Sequence, residues 1–207
     1  MFDVESQVQK EGFKFIIGLD EAGRGPLAGP VVASAVFLKK KRFANRIDDS
    51  KKLTPREREE AFHEILEKAY VGVGVINEGV IDEQNILQAT FHAMTQAVAQ
   101  LARKVSDLEI NPHNFPQLVC LLIDGPYFKS DLPYTYKTIV RGDETVLSIA
   151  CASIVAKVVR DRILMTYDRI FPQYGFKEHK GYPTPGHKAA IQRYGLSMIH
   201  RKTFHYE

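Results

Sequence analysis

The stretch IGLDEAGRGPLAGP, residues 17–30, decides how the rest of the chain is read. It begins in an apolar run (residues 13–19), passes two adjacent acids, turns through an arginine set between two glycines, and enters a second apolar run (residues 30–38). Both runs are rich in β-branched and aromatic residues and bounded by Gly or Pro, which reads as a hairpin-like pair of strands opening a sheet. A turn between strands needs glycine and at most one aspartate. Asp20, Glu21, Arg24 and two prolines exceed that need, so the segment is either an ornate turn or a binding loop.

Outward from this pair, KKKR (residues 39–42) reads as a solvated turn. Thr54 as N-cap, Pro55 at the first helical position and Glu57 closing a capping box predict a helix from about Pro55, followed by a third strand, YVGVGVI, over 70–76. From residue 81, apolar positions at Ile86, Leu87, Met94, Val98, Leu101 and Val105 fit one long amphipathic helix, ended by PHNFP at 112–116. LVCLLID (118–124) is a continuous apolar run before Gly125-Pro126, as expected of a strand buried on both faces, and YTYKTIV (134–140) is a fifth strand. After Gly142 the chain becomes helical through residue 171, where Ala150, Cys151, Ala152 and Ser153 permit close packing on a sheet; Pro172 closes that helix. A turn-rich segment and a short helix fill 179–195. The expected fold class is α/β, a mixed sheet with helices.

At 207 residues, 44% hydrophobic and 26% charged, the chain has the balance of an ordinary soluble protein and suits one domain over residues 1–207, with a helical C-terminal part from about residue 172 packed on it. The N-terminus, MFDVESQVQKEGFKF, has early acids and no apolar signal region, and no run approaches membrane-spanning length, so a cytoplasmic protein is expected. Cys120 and Cys151 sit among apolar neighbours and read as free buried thiols. A net charge of +3 permits a polyanionic partner without requiring one.

In open α/β sheets, sites gather at the carboxyl ends of strands. Asp20 closes the first strand, Asp124 closes the fourth, and Asp143 follows the fifth in VRGD. With Glu21 these acids converge if the first, fourth and fifth strands are neighbours and the first and fourth run parallel. Clustered carboxylates repel one another unless divalent cations hold them, and hard oxygen ligands suit Mg²⁺ or Mn²⁺ rather than zinc. Two such ions about 3.5–4 Å apart can activate a water and stabilise the leaving oxygen in phosphodiester cleavage. The competing reading, that each acid caps a strand-end turn, loses weight as the acids recur at successive strand ends.

Gly23 and Gly25 let the backbone approach a ligand, such as a sugar hydroxyl, and Arg24 is placed to contact phosphate; the alternative is a glycine-hinged turn with a solvent-facing arginine. Lys51 and Lys52, just before a helix, and Lys157, one turn from Arg160, are further candidate substrate contacts. Each also reads as solvated charge, with Lys157 pairing to Asp161 at i,i+4 spacing. Tyr182, in the rigid loop HKGYPTPGH, offers a ring for stacking or packs against its own loop. His179, His187, His200 and His205 lack the companions of a zinc site.

The blocks GLDEAGRGPLAGPVV, DSKKLT, IDEQNILQAT, LLIDG, RGD, SIACASIVAKVVRD, FPQYGFKEHKGYPT and HRKTF, in that order and over nearly the whole chain, resemble bacterial ribonuclease HII, the type 2 ribonuclease H family. The resemblance implies a ribonuclease H-like five-stranded mixed sheet flanked by helices with a helical C-terminal region. It implies that Asp20, Glu21, Asp124 and Asp143 form the catalytic set and bind two divalent cations, Mg²⁺ or Mn²⁺. It also implies that the Gly23-Arg24-Gly25 backbone recognises the ribonucleotide 2′-hydroxyl and that Tyr182 stacks on the deoxyribose beyond it. The expected partners are RNA–DNA hybrids and duplex DNA containing ribonucleotides; a membrane and an obligate protein partner are not expected, and the chain is expected to be monomeric. Little chain follows HRKTF, so a C-terminal clamp-binding extension is not expected either. Two departures stand out: Arg141 replaces the family's common Lys before Gly-Asp, and Glu144-Thr145 follow where a basic residue is frequent.

The expected activity is metal-dependent cleavage 5′ to a ribonucleotide, leaving 3′-hydroxyl and 5′-phosphate ends, in ribonucleotide removal and RNA primer processing. The alternative is a non-catalytic hybrid-binding module, which could dispense with the four acids present here. A nucleotide-binding ATPase predicts a GxxxxGK[ST] loop that the chain lacks.

Overall fold

The computed structural model describes residues 4–106 and 114–205. Helix α1 (Val4–Lys10) precedes strands β1 (Phe15–Ala22) and β2 (Val31–Leu38). Helix α2 (Pro55–Lys68) leads into β3 (Ala69–Ile76), followed by helices α3 (Glu78–Gln84) and α4 (Ile86–Ser106). The short helix α5 (Phe115–Leu118) then leads into β4 (Val119–Asp124) and β5 (Thr135–Ile139). Helices α6 (Gly142–Thr145), α7 (Leu147–Ile170), α8 (Phe176–His179) and α9 (Pro185–Tyr194) complete the described chain.

The five strands form one mixed sheet in the order β3-β2-β1-β4-β5, antiparallel from β3 to β1 and parallel from β1 to β5. Side chains alternate across β1. Ile17 and Leu19 join Met94, Val98 and Leu101 of α4 in the core on one face. On the other face Gly18 lies so close to α7 that a Cβ there would overlap the Ser148 backbone. Gly72 and Gly74 of β3 give the same close approach to α4 at Ala97 and Ala93. Both faces of the sheet are therefore covered, and the ends of β1 and β4 are left as the place where polar groups can gather.

The sequence reading needs four corrections. β1 continues through Asp20 and Glu21 to Ala22, so the two acids alternate across the strand rather than following it. The single helix expected around residues 81–105 is two helices, parted at Asn85 with φ 72°; its side-chain oxygen accepts from Leu87 N at 3.0 Å and Gln88 N at 3.1 Å and starts α4 afresh. Leu87 consequently faces solvent. Leu118 closes α5 instead of opening β4, and the helix expected directly after Gly142 begins as α6, separated from α7 by extended Val146. The expected stop at Pro112-His113 lies outside the described residues. The Thr54–Glu57 capping box and Pro55 are as expected. Both cysteines are free and buried. The C-terminal helices pack Tyr174, Phe176, Ile191 and Ile199 against Leu164 of α7 and against Leu27 and Ala28 of the 23–30 loop.

Candidate active site

Parallel pairing of β1 with β4 sets Leu19 beside Ile123, so Asp20 and Asp124 emerge next to one another on the face that α7 covers. Asp124 Oδ1 accepts from Gly142 N at 2.7 Å and from Asp143 N at 3.4 Å. That contact holds the start of α6 against the end of β4, after Arg141 has reversed the chain in a left-handed conformation at φ 58°. As a result Asp20, Asp124 and Asp143 each present a carboxylate oxygen within 4.8 Å of the others. Glu21, on the opposite face of β1, stands outside this triad and pairs with Arg24 at 3.3 Å.

Burial and mutual repulsion both act on these acids. Asp20 is held well above the usual carboxylate range, first by burial and then by Glu21 and Asp124, while the Ser153 hydroxyl and Glu21 N–H pull the other way. Burial and then Asp124 also raise Asp143, and burial raises Glu21 against the pull of Arg24. The protein's own cation here is Lys51, with Nζ 3.8 Å from Asp143 and 3.7 Å from Asp49. Three hard carboxylates converging at one point are the donor set that a Mg²⁺-like ion suits.

Beside the triad lies a cavity of about 290 Å³ lined by Glu21, Gly23, Gly25, Lys51, Ser153 and Tyr182, among others. Gly25 and Tyr182 face each other across it: a Cβ on Gly25 would sit 3.8 Å from the tyrosine ring. Gly23 differs. At φ +102° its Cβ would overlap the Arg160 side chain, so this glycine is demanded by the fold whether or not a ligand approaches. Lys157 lines the cavity but gives its ammonium to Asp161 at 2.8 Å, the pairing its i,i+4 spacing suggested. Lys52 pairs with Glu144 at 3.3 Å and Asp48 at 3.7 Å. Arg160, grouped with Lys157 as a basic residue for a polyanion, is only 1% exposed and bonds backbone carbonyls instead.

Tyr182, 42% exposed, is held from behind by histidines that sequence spacing left unconnected. The Ser197 N–H donates to His200 Nδ1 at 2.9 Å, which leaves the proton of the neutral ring on Nε2. That Nε2–H donates to His187 Nε2 at 3.0 Å, and His187 Nδ1–H donates to the Tyr182 carbonyl at 2.9 Å. His179 stacks on His187 with ring centroids 4.3 Å apart. Each ring nitrogen has its own hydrogen bond, a buried structural chain rather than a metal site.

Residues 17–206 match the family model described as Ribonuclease HII. The chain belongs to the ribonuclease HII family. It is an endonuclease of the ribonuclease H type, acting on RNA–DNA hybrids. Ribonuclease HII of Ruminiclostridium cellulolyticum is 49% identical over 205 residues, covering 99% of this chain and 75% of that protein. The crystal structure of ribonuclease H2 from Pyrococcus horikoshii OT3 is 26% identical with a TM-score of 0.66, covering 93% of this chain and 95% of that one. Bst-RNase HIII, solved in complex with Mn²⁺, shares the fold at 18% identity and a TM-score of 0.64, over 93% of this chain and 67% of that one.

Within this ribonuclease HII fold the two departures of the loop after β5 act on each other. Glu144 accepts from Arg141 Nε at 3.1 Å and from Nη2 at 2.8 Å, and it also engages Lys52. Sequence reasoning missed Ser50 and Ser153, whose hydroxyls meet at 3.0 Å beside Asp20, and it missed Arg201. Ser153 was visible as a small residue suited to packing, but nothing local marked it as a neighbour of Asp20.

Proposed function

We propose that this ribonuclease H cleaves the RNA strand of hybrids, and the strand 5′ to a ribonucleotide embedded in duplex DNA, by metal-assisted hydrolysis that leaves 3′-hydroxyl and 5′-phosphate ends. The observation carrying this reading is the convergence of Asp20, Asp124 and Asp143 within 4.8 Å beside the cavity flanked by Gly25 and Tyr182. Asp20, Asp124 and Asp143, with Glu21 alongside, would hold two divalent cations, Mg²⁺ or Mn²⁺. When bound, such ions neutralise charge on the scissile phosphate and assist water as the nucleophile.

The chain's own groups do the rest. Asp124 orients Asp143 through the two backbone N–H groups it accepts. The Gly23-Arg24-Gly25 backbone meets the ribose 2′-hydroxyl, and the Tyr182 ring packs on the deoxyribose of the next nucleotide. Arg24 and Lys51 line the same opening and meet phosphates, with Lys52 next along the chain and engaged by Glu144 and Asp48, whereas Lys157 acts through its place beside Tyr182, with its Nζ 6.0 Å from the ring centroid. Support for the metal comes from the raised proton affinity of the buried acids; a solved relative with this fold also holds Mn²⁺.

The test is cleavage of three duplexes of one sequence, with a single ribonucleotide, a full RNA strand, or none, in Mg²⁺, Mn²⁺ or chelator. Cuts 5′ to ribonucleotides that require a divalent ion are expected, with the all-DNA duplex intact. Tight hybrid binding without cleavage in either ion would instead identify a binding module.

A further inference from the structure

Two arginines, Arg160 of α7 and Arg201 near the C-terminus, are each 1% exposed. Burying a guanidinium is costly unless its charge is balanced and its donors are used. Among the described residues neither forms an ion pair within 4.0 Å; Glu78 is the acid whose field reaches both. Their donors go to backbone carbonyls. Arg201 donates to Gly29 O at 3.0 Å and 2.8 Å, to Arg24 O at 3.0 Å and to Gly23 O at 2.5 Å. Arg160 donates to Pro30 O, Ala28 O and Lys180 O, each at 3.0 Å.

Five of these six carbonyls belong to the single loop between β1 and β2, and the sixth lies two residues before Tyr182. With the carbonyls of Gly23 and Arg24 turned inward to Arg201, the N–H groups of Arg24 and Gly25 donate to no other group of the chain among the described residues. Arg160 spans the two loops, and Leu27 N donates to Gly181 O at 2.8 Å beside it. The separation between the glycine loop and the tyrosine ring is thereby set from inside the protein. Burial, and then the neighbouring Arg160, hold Arg201 down at about 9, so the fold keeps this group at an electrostatic cost.

We propose that Arg160 and Arg201 are positioning residues for sugar discrimination: by clasping the carbonyls of the 23–30 loop and of Lys180, they aim the loop's N–H groups at the ribose and fix their distance from Tyr182. The proposal rests on the reading that the Gly23–Gly25 backbone meets the 2′-hydroxyl. Lysine at either position keeps the charge and loses the planar fork that reaches several carbonyls at once.

The experiment measures kcat and KM on the single-ribonucleotide duplex, together with the inhibition constant of the matching all-DNA duplex, for wild type, Arg160→Lys, Arg201→Lys and Gly25→Ala. The ratio of that inhibition constant to KM reports discrimination, and a merely structural role, which removes folded enzyme, does not move it. Arg160→Lys and Arg201→Lys are each expected to lower the ratio by about tenfold, the effect of misplacing one or two hydrogen bonds. Gly25→Ala, which projects a methyl between loop and ring, tests the underlying reading and is expected to lower it too. A lowered ratio in Gly25→Ala with an unchanged ratio in both lysine variants overturns the positioning role alone. An unchanged ratio in Gly25→Ala overturns the reading on which it rests. Because each lysine variant reports independently, poor folding of one leaves the other to decide.

Discussion

The Asp124 carboxylate accepts the Gly142 N–H at 2.7 Å through Oδ1 while its charge adds to those of Asp20 and Asp143. Asparagine keeps an oxygen for the first task and removes the charge needed for the second. Asp124→Asn is therefore expected to melt near wild type and bind hybrid, with turnover lower by on the order of a hundredfold or more, since changes even one shell outside a metal's ligands cost about 10–100-fold. Near-normal cleavage in Mg²⁺ or Mn²⁺ would remove Asp124 from the metal set. Glu144 poses the opposite case, because it occupies Arg141 and Lys52, two cations at the rim. Glu144→Gln should free both for phosphate, tightening hybrid binding at low salt and steepening the log–log salt dependence by about one to two. A titration with the wild-type slope would show that neither cation meets the backbone. The acids were legible as residues in the sequence. Their grouping into three plus one was not, because it depends on the pleat that sends Glu21 to the other face of β1.

Gly18 shows why β1 and α7 meet so closely. A side chain there would strike the backbone of Ser148, which cannot rotate aside, and β1 carries Asp20 two residues on. Gly18→Ala is expected to lose about 1–3 kcal/mol, the usual cost of overpacking, with activity falling as β1 shifts. Gly186, near the start of α9, has open space around it, so Gly186→Ala should melt at or slightly above wild type. Equal losses in the two variants by chemical denaturation would contradict a contact-specific cause. At this scale the sequence was a good guide wherever local chemistry decides, as with the Thr54 cap and Pro55. It misled at Asn85, where apolar spacing alone cannot distinguish one helix from two joined by a left-handed residue.

Across the whole molecule the C-terminal helices, the glycine loop and the Tyr182 loop form a block joined by buried arginines and histidines. Burial, and then His187, hold His200 down at about 4. The unfolded chain therefore binds more protons between roughly pH 6.5 and 4. The histidine contribution is complete above about pH 6.5 and is lost as the pH falls towards 4. Asp20 and Asp143, raised in the fold, act in the opposite direction, so a local probe is needed. The His200 ring should titrate near pH 4 by NMR, and amides of 195–201 should exchange faster at pH 5 than expected from chemistry alone; a midpoint near 6.5 would mean that the chain of rings is open in solution.

Residue chemistry by itself determined that this chain forms a mixed α/β sheet, where most strands and helices lie, which acids could gather and which motifs signal a ribonuclease HII. These follow from periodicity, capping and the order of short motifs, all readable within a few residues. Only the tertiary structure decided that β1 runs parallel beside β4, that Arg160 and Arg201 turn inward while Lys51 faces the acids, and that distant histidines support Tyr182. The reason is physical: pairing register and burial are set by contacts between segments far apart in the chain, and a buried guanidinium and an exposed one are spelled with the same residue.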